Sequence, residues 1–339
     1  MNKFSKAIEL LKNHYIDNIH INLSPVYGYR SRVEFGYKNN FYTMFDENGN
    51  IKFISNLRIA RPSIQLLMPE LLKKINSNKL LKTKLFQINF RCNNQNHILV
   101  SLVYHKKLCS KIENQALKLS KVLKIDINLR SKNKFFSTCD GMLDDYIESL
   151  GVRLYQTDQS FYQPNHYHMP KMINKTISLL GKTDDLLELY CGSGTFTLPL
   201  SKYFDHVFAT ENNRQSIKCL SRAIEESNIK NISYSRLSAE EVAEAFEGRL
   251  FRRMNYKTIK DYNFSHVLVD PPRSGLTANV IDIIKKFNNI IYISCDYITY
   301  ERDIKLLKNF KIKEIEIFDQ FPNTRHLEIV SLLTYRKNT

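Results

Sequence analysis

The sequence has no long apolar run, and this lack excludes one class of protein. None of its 339 residues lie in a stretch that reaches the roughly 18 apolar positions that a membrane-spanning helix needs. The first segment, MNKFSKAIELLKNHY, has the pattern of an amphipathic helix and not the continuous apolar core of a secretory signal. We therefore expect a protein of the cytoplasm that does not enter a membrane.

Cysteine pairs are also missing. Six cysteines are present, and no two of them lie within four residues of each other, so the chain has no CxxC motif. This spacing argues against a zinc site or an iron–sulfur cluster, and a cytoplasmic chain of this size needs no disulfides. We expect no metal, and any functional thiol should act as a reduced nucleophile. The cysteines are Cys92, Cys109, Cys139, Cys191, Cys219 and Cys295.

Acidic residues are few compared with basic ones. The chain carries 50 Lys and Arg against 34 Asp and Glu, a formal charge of +16. The excess is concentrated in residues 1–165, with 25 basic and 13 acidic residues, whereas residues 166–339 have 25 and 21. Such an excess attracts polyanions, nucleic acid first. The chain is also rich in Lys, Asn and Ile, so composition alone could explain part of the charge.

Strand-like and helical segments alternate through the second half. This alternation predicts βαβ units and a parallel sheet, and the last two strands, joined by a short connection, predict that one of them runs antiparallel. Seven strands with this ending are typical of the Rossmann-like α/β sheet of class I methyltransferases that use S-adenosyl-L-methionine. The strand segments are DLLELYC, HVFATE, ISYSRLS, SHVLVDPP, NIIYISC, IKEIEIFDQF and LEIVSLLTYR.

The first half has a different pattern. YRSRVEFGYKNNFYTMFDENGNIKFI and KLFQINFRCNNQNHILVSLVYH read as hairpins with polar turns, and a helical segment lies between them. We predict an α+β domain with an antiparallel sheet over residues 1–160. Residues 161–339 then form the domain that binds the cofactor and carries out catalysis.

A glycine turn follows the first strand of the second half. In ELYCGSGTF, Gly192 and Gly194 permit a tight turn and a close approach of a ligand to the backbone. The third glycine of the dinucleotide fingerprint and the P-loop lysine are both missing, which disfavours a diphosphate ligand. Glu211, at the end of the next strand, can accept hydrogen bonds from two ribose hydroxyls. Together these residues favour S-adenosylmethionine, although a GxG motif alone is equally well a plain strand–helix turn.

Several motifs together resemble a known family. ELYCGSGTF, DPPRSGL, YISCD and DQFPNTRHLE, in this order, are similar to those of the RNA uracil-C5 methyltransferases. SPVYGYRSRVEF, KLFQINF, VSLVYHKKL and SFYQPN in the first half resemble the bacterial tRNA (uracil-5-)-methyltransferase branch. The resemblance runs from about residue 24 to 334. It implies methylation of a tRNA T-loop uracil, uridine 54, to ribothymidine, with tmRNA as a candidate second substrate.

The resemblance also assigns the two catalytic roles. Cys295 matches the nucleophile that adds to C6 of uracil, and Glu328 of the H-x-E motif matches the base that removes the C5 proton. On residue types alone, a cysteine at a strand end is more often core and a glutamate there is more often solvated. A thiolate suits the addition because it forms near neutral pH.

Further site residues are carried over by the same motifs. Tyr190 could also be a core aromatic, Phe86 a core ring and the arginines a solvated face. The cofactor contacts that the resemblance implies are Gln163, Tyr190, Thr195, Glu211 and Asp270. The RNA contacts that we expect are Arg30, Arg32, Phe86, Gln87 and Arg273.

The predicted function is thus that of a cytoplasmic tRNA uracil-C5 methyltransferase, which we expect to be a monomer. Absence of a cysteine cluster favours tRNA over 23S ribosomal RNA, which is the alternative substrate. An alternative of another class is a tRNA-folding protein without turnover, because Asp296-Tyr297 replaces the Asn-Pro that usually follows the cysteine in the family. Strand alternation predicts that Asp296 points away from the thiol. Thr195 also departs from the family, where asparagine is usual.

Overall fold

The structure is a computed structural model that describes residues 3–254 and 259–336. Seventeen strands and ten α-helices lie in this part of the chain. The helices are α1 (Lys3–Leu11), α2 (Pro62–Asn76), α3 (Lys79–Lys82), α4 (Ser110–Leu123), α5 (His168–Ser178), α6 (Thr197–Leu200), α7 (Arg214–Glu226), α8 (Ala239–Phe246), α9 (Ala278–Ile284) and α10 (Tyr297–Leu306).

The strands are divided between two large sheets and one hairpin. They are β1 (His20–Asn22), β2 (Arg32–Lys38), β3 (Phe41–Phe45), β4 (Ile51–Ile54), β5 (Leu85–Cys92), β6 (Ile98–Tyr104), β7 (Asp126–Ser131), β8 (Lys134–Ser137), β9 (Leu143–Ile147), β10 (Val152–Gln156), β11 (Asp185–Leu189), β12 (Val207–Thr210), β13 (Ile232–Ser235), β14 (Phe264–Val269), β15 (Asn289–Ser294), β16 (Phe310–Phe318) and β17 (Glu328–Tyr335). The hairpin is formed by β9 and β10.

The second half folds into an eight-stranded sheet in the order β1-β16-β17-β15-β14-β11-β12-β13. All neighbours are parallel except β17, which is antiparallel to both β15 and β16. The Rossmann-like α/β sheet with an antiparallel last strand, predicted from the sequence, is confirmed. β11 leads to β12 on one side and pairs with β14 on the other, so the order reverses there. Ligands of such sheets bind at the carboxyl ends of the strands, near this reversal.

The sheet has one strand more than the seven predicted. The extra strand is β1, which pairs in parallel with β16 at the edge. Helix α1 accompanies it, and Ala7 and Leu11 are fully buried in the core of this sheet. Residues 3–22, which the sequence assigns to the first domain, therefore pack on the second-half sheet. A strand of three residues is too short to show a periodic pattern, so β1 could not be predicted from the sequence.

The first half contains a seven-stranded sheet in the order β4-β3-β2-β5-β6-β7-β8. Its own core contains residues of α2 and α4 and the inward side chains of the strands. The prediction of an antiparallel sheet is wrong at one pair, because β6 and β7 are parallel. Helix α4 connects them, and a parallel pair requires a crossover of this kind.

No helix in the described part of the chain is both long and apolar enough to span a bilayer.

Candidate active site

The glycine turn between β11 and α6 depends on residues without a side chain. Gly192 has φ +56° and Gly194 has φ +88°, in the region that L side chains rarely adopt. A Cβ atom on Gly194 would lie 2.4 Å from Cδ1 of Leu198 and 2.6 Å from Cδ1 of Leu220. The turn therefore needs glycine at position 194 both for its conformation and for close packing.

Glu211 lies directly after β12 and is fixed beside this turn. Its carboxylate accepts hydrogen bonds from the backbone N–H of Gly192 (3.1 Å) and of Asn213 (2.6 Å). Asn213 in turn caps α7 through the N–H groups of Gln215 and Ser216. The carboxylate predicted to bind ribose is thus oriented by the same turn that would let a ligand approach the backbone.

Three further predicted cofactor contacts surround the turn. Tyr190 is half-buried with φ +60°, an uncommon conformation for an aromatic residue, and burial raises the pKa of its phenol. Thr195 is buried in the turn itself. Gln163 is also buried, and its carbonyl oxygen accepts a hydrogen bond from Nε2 of Gln320 (2.6 Å). The segment of Gln163 contacts the turn because Ser193 Oγ donates to the carbonyl of Phe161 (3.1 Å).

Carboxylates collect at this edge of the sheet. Asp270 follows β14, and burial together with the charge of Glu211 raises its pKa to about 7. Glu188, inside β11, is a residue that the sequence analysis missed; burial first, and Asp270 also, raise its pKa to about 8. Its signal was an acid between leucines in LLEL, residues 186–189. Among the described residues, one carboxylate oxygen of Glu188 and one of Glu328 have no hydrogen-bond partner.

Cys295 and Glu328 lie at adjacent ends of two paired strands. β15 and β17 are antiparallel and their last pair is Ser294 with Ile329, so Cys295 directly follows one member of this pair and Glu328 directly precedes the other. The negative charge of Glu328 acts on the thiol of Cys295, so the two side chains lie near each other. The two predicted catalytic residues are thus brought together at the edge where Asp270 also ends its strand.

The thiol is partly exposed, unlike the fully buried Cys191 and Cys219. Burial, followed by the negative charges of Glu328 and Asp270, raises the pKa of Cys295 to about 12. Burial, followed by Asp270, raises the pKa of Glu328 well above its usual value. The cation of Arg273 opposes both shifts. Arg273 therefore acts on both predicted catalytic residues, in addition to its predicted contact with RNA.

We expect Arg273→Met to move the acidic limb of the pH profile of kcat/KM to higher pH. The guanidinium lowers the pKa of the Cys295 thiol, so its removal raises that pKa, and each unit of increase lowers the thiolate fraction at pH 7 about tenfold. The pH dependence of methyl transfer measures this shift. Arg273→Lys, which keeps the charge, is the control, and an unmoved limb in Arg273→Met would show that the cation does not act on the thiol.

Helix α10 contacts two segments near Cys295 and Glu328: the residue that follows Cys295 and the loop that carries Arg273. The Asp296 carboxylate accepts hydrogen bonds from the N–H groups of Ile298 (2.9 Å) and Thr299 (3.1 Å), so it caps α10. The carboxylate is thus engaged in a helix cap, and its predicted orientation away from the thiol stays a prediction. The buried Asp303 of α10 accepts from the N–H of Leu276 (2.8 Å), which fixes the loop that carries Arg273. Asp303 was not identified from the sequence.

The predicted RNA contacts occupy two surfaces. Arg30 donates from Nε to the carbonyl of Arg32 (2.9 Å), and its guanidinium lies 5.7 Å from the ring centroid of Phe321, in the loop before Glu328. Arg32 forms an ion pair with Glu34 (2.6 Å). Tyr29, between Tyr27 and Arg30, is buried in the structure and cannot stack on a base.

The other surface belongs to the N-terminal sheet. Phe86 and Gln87 lie on β5, and the half-exposed ring of Phe86 stacks on His105 with 4.1 Å between ring centroids. His105, with Lys106 and Lys107, lines a groove of about 1430 Å³ that extends to α7. These positions suit contact with a base and with phosphates, but they remain predictions.

No group of three or more His, Cys, Asp or Glu side chains within residues 3–254 and 259–336 is arranged to hold a metal ion.

Comparisons with known proteins agree with this architecture. The family model of tRNA (uracil-5-)-methyltransferase matches residues 1–336. The tRNA/tmRNA (uracil-C(5))-methyltransferase of Campylobacter curvus is 40% identical over 316 residues, covering 91% of this chain and 86% of the relative. That of Campylobacter jejuni is 39% identical over 337 residues, covering 96% and 94%.

A solved structure has the same fold. The Pyrococcus abyssi tRNA (uracil-54, C5)-methyltransferase, in complex with S-adenosyl-L-homocysteine, superposes with a TM-score of 0.77 at 21% identity. The match covers 98% of this chain and 83% of the Pyrococcus chain. The family, the enzyme class and the fold expected from the motifs are thereby confirmed, and the chain belongs to the tRNA (uracil-5-)-methyltransferase family.

Proposed function

We propose that this protein transfers a methyl group from S-adenosyl-L-methionine to C5 of a uracil in the tRNA T-loop, at uridine 54. The reaction would pass through a covalent bond between Cys295 and C6 of the ring. The observation that carries the proposal is the position of Cys295 and Glu328 at adjacent ends of β15 and β17, at the same edge of the sheet as the glycine turn. Family membership supports the reaction class, and the names of the Campylobacter relatives support tRNA, with tmRNA as a second substrate.

The residues at the sheet edge fit the proposed cofactor. Glu211 would bind the ribose hydroxyls, and Tyr190, Thr195 and Gln163 would complete the surroundings of the glycine turn. Burial raises the pKa values of Glu188 and Asp270, and nearby acids add to it, Asp270 acting on Glu188 and Glu211 acting on Asp270. A cluster of acids of this kind suits a positively charged ligand. S-adenosylmethionine carries a sulfonium and an ammonium group, and when bound it supplies an electrophilic methyl group.

Cys295 would begin the reaction. Its thiolate adds to C6 of uracil, so a C–S bond forms and the electrons of the C5–C6 double bond move toward C5 and the O4 enolate. C5 would then be nucleophilic enough to accept the methyl group, whose bond to the sulfonium sulfur would break and leave its electrons on that sulfur. The thiol must first lose its proton. Because the pKa of the Cys295 thiol is raised, loss of this proton is the step that depends most on nearby positive charge.

Glu328 would end the reaction. After methylation, C5 carries both a methyl group and a proton, and the Glu328 carboxylate accepts the proton. The electrons of the C–H bond re-form the C5–C6 double bond, and the C–S bond breaks to release the thiolate. A carboxylate with a raised pKa is a stronger base than a solvated one, so burial of Glu328 serves this step.

We expect Glu211→Gln to weaken binding of S-adenosylmethionine by roughly tenfold, because a charged acceptor contributes more to a hydrogen bond than a neutral one. Calorimetry with the cofactor, in the absence of RNA, measures the effect. Glu225→Gln, on the exposed side of α7, is the matched control. Equal affinity of Glu211→Gln and the wild type would remove Glu211 from the cofactor site.

The RNA must present a base that is normally stacked in the tRNA elbow. Enzymes of this kind extrude the base into the site and stabilise the open loop by stacking and phosphate contacts. We assign these roles to Phe86, Gln87, Arg30, Arg32 and Arg273, with the N-terminal seven-stranded sheet and its helices as the main RNA-recognition domain. We expect the protein to act as a monomer in the cytoplasm.

One assay tests the function against its alternatives. The purified protein is incubated with methyl-labelled S-adenosylmethionine and either unmodified tRNA or 23S ribosomal RNA, and the labelled nucleotide is located. Label at the T-loop uridine of tRNA is the expected result. Label only in ribosomal RNA would favour the ribosomal alternative, and tight tRNA binding without label would favour a folding protein without turnover.

A further inference from the structure

A groove of about 800 Å³ opens beside Cys295 on the side of helix α1. We call it the α1 groove. Its walls are α1, the segment after β1, the start of α10 and the loop between β16 and β17. The residues that matter for its chemistry are Lys3, Lys6, Leu23, Cys295, Ile298 and Arg325.

The groove has more cations than acids. Lys6 and Arg325 are exposed, and neither has an ion pair or a hydrogen bond within the described part of the chain. Of the two acids that line the groove, Asp319 pairs with Lys3, and Asp296 caps α10 but keeps its charge. The three cations Lys3, Lys6 and Arg325 therefore leave the groove with a net positive charge.

Contacts from α1 fix the loop between β16 and β17, which forms one wall of the groove. The ammonium group of Lys3, besides its ion pair with Asp319, donates hydrogen bonds to the carbonyls of Phe321 (3.0 Å) and His326 (3.0 Å). One side chain of α1 thus ties together both ends of the loop that precedes Glu328. Arg325 lies on this loop, so its position in the groove is set by α1.

The groove also offers apolar surface. Leu23 is 66% exposed and Ile298 is 59% exposed, and both side chains line it. Cationic groups interleaved with exposed apolar side chains are the combination that binds single-stranded nucleic acid, through phosphates and through the faces of sugars and bases. A strand whose target base reached Cys295 would have its neighbouring nucleotides beside this groove.

We propose that the α1 groove binds the ribose–phosphate backbone of the RNA strand next to the target uridine, with Lys6 and Arg325 as its phosphate contacts. The proposal rests on the proposed function, since it requires RNA at Cys295. It gives the N-terminal helix, which packs on the catalytic sheet, a role in RNA binding that is separate from the N-terminal sheet.

The salt dependence of tRNA binding tests the groove independently of catalysis. Unmodified tRNA is titrated with the wild type, Lys6→Gln, Arg325→Gln and the double variant at several salt concentrations. Each lost phosphate contact should lower the slope of log K against log salt by about 0.7 to 1, and the double variant by about twice that amount. Lys12→Gln, an exposed lysine just after α1 that does not line the groove, is the matched control.

The outcomes distinguish a failure of the proposed groove from a failure of the proposed function. Reduced slopes in both variants, with the Lys12→Gln slope equal to that of the wild type, support the groove. Slopes equal to the wild type in both variants overturn it, even if the wild type methylates tRNA normally. Equal losses in Lys12→Gln would also overturn it, because they would indicate diffuse charge attraction. Lack of methylation by the wild type, measured separately, contradicts the proposed function.

Discussion

Cys295→Ala is expected to abolish methylation of tRNA, with a loss of at least about 10⁴-fold in kcat. Without the thiolate, C5 of uracil remains a poor nucleophile, and removal of a covalent nucleophile from an enzyme produces losses of this order. Transfer of labelled methyl groups to unmodified tRNA, under single-turnover conditions, measures the effect. Binding of tRNA and of the cofactor should remain, since the side chain is small and partly exposed.

Cys109→Ala is the matched control for this prediction. Cys109 is an exposed cysteine before α4, on the N-terminal domain, and its loss should leave the rate unchanged. If Cys295→Ala methylates tRNA at a rate near that of the wild type, then Cys295 is not the nucleophile. The groove beside it would then need another interpretation.

Glu328→Gln is expected to produce a stable covalent complex between protein and RNA. Glutamine keeps the size of the side chain but cannot accept the C5 proton, so methylation can proceed while release of the thiolate cannot. Turnover should fall about 10²- to 10⁴-fold. Loss of the carboxylate also removes a charge that raises the pKa of Cys295, so the adduct should form at least as readily as in the wild type.

Denaturing electrophoresis with labelled tRNA measures this complex. The double variant Cys295→Ala/Glu328→Gln is the control and should give no complex. A Glu328→Gln protein that turns over slowly without accumulating the complex would indicate that a different group removes the proton, or that proton removal does not limit release of the product.

The layout of the active site could be predicted because it depends on strand order. A parallel sheet brings the ends of β11, β12, β14 and β15 to one edge, so residues that follow these strands in the sequence must lie near one another. Glu211, Asp270 and Cys295 each occupy such a position. Glu328 joins them because β17 runs antiparallel, and its first residue lies at that same edge.

Other features depend on contacts that sequence patterns do not record. Lys3 reads as one of many lysines in a basic chain, yet it ties together the loop before Glu328. Asp296 reads as a harmful charge beside the thiol, and only the start of α10 at the next residue explains it as a helix cap. Glu188 was overlooked because a strand position is ordinarily assigned to packing. In each case the role is set by a partner far away in the sequence or by the exact start of an element.

The central claim is that sulfur of Cys295 bonds to the uracil ring during turnover. It is tested most directly by incubating the wild-type protein with S-adenosylmethionine and tRNA that contains 5-fluorouridine, because fluorine cannot leave C5 as a cation and the adduct cannot resolve. Mass spectrometry of the digested complex should find a methylated fluorouridine nucleotide attached to the peptide that contains Cys295. Absence of any covalent complex, or attachment at another cysteine, would contradict the account.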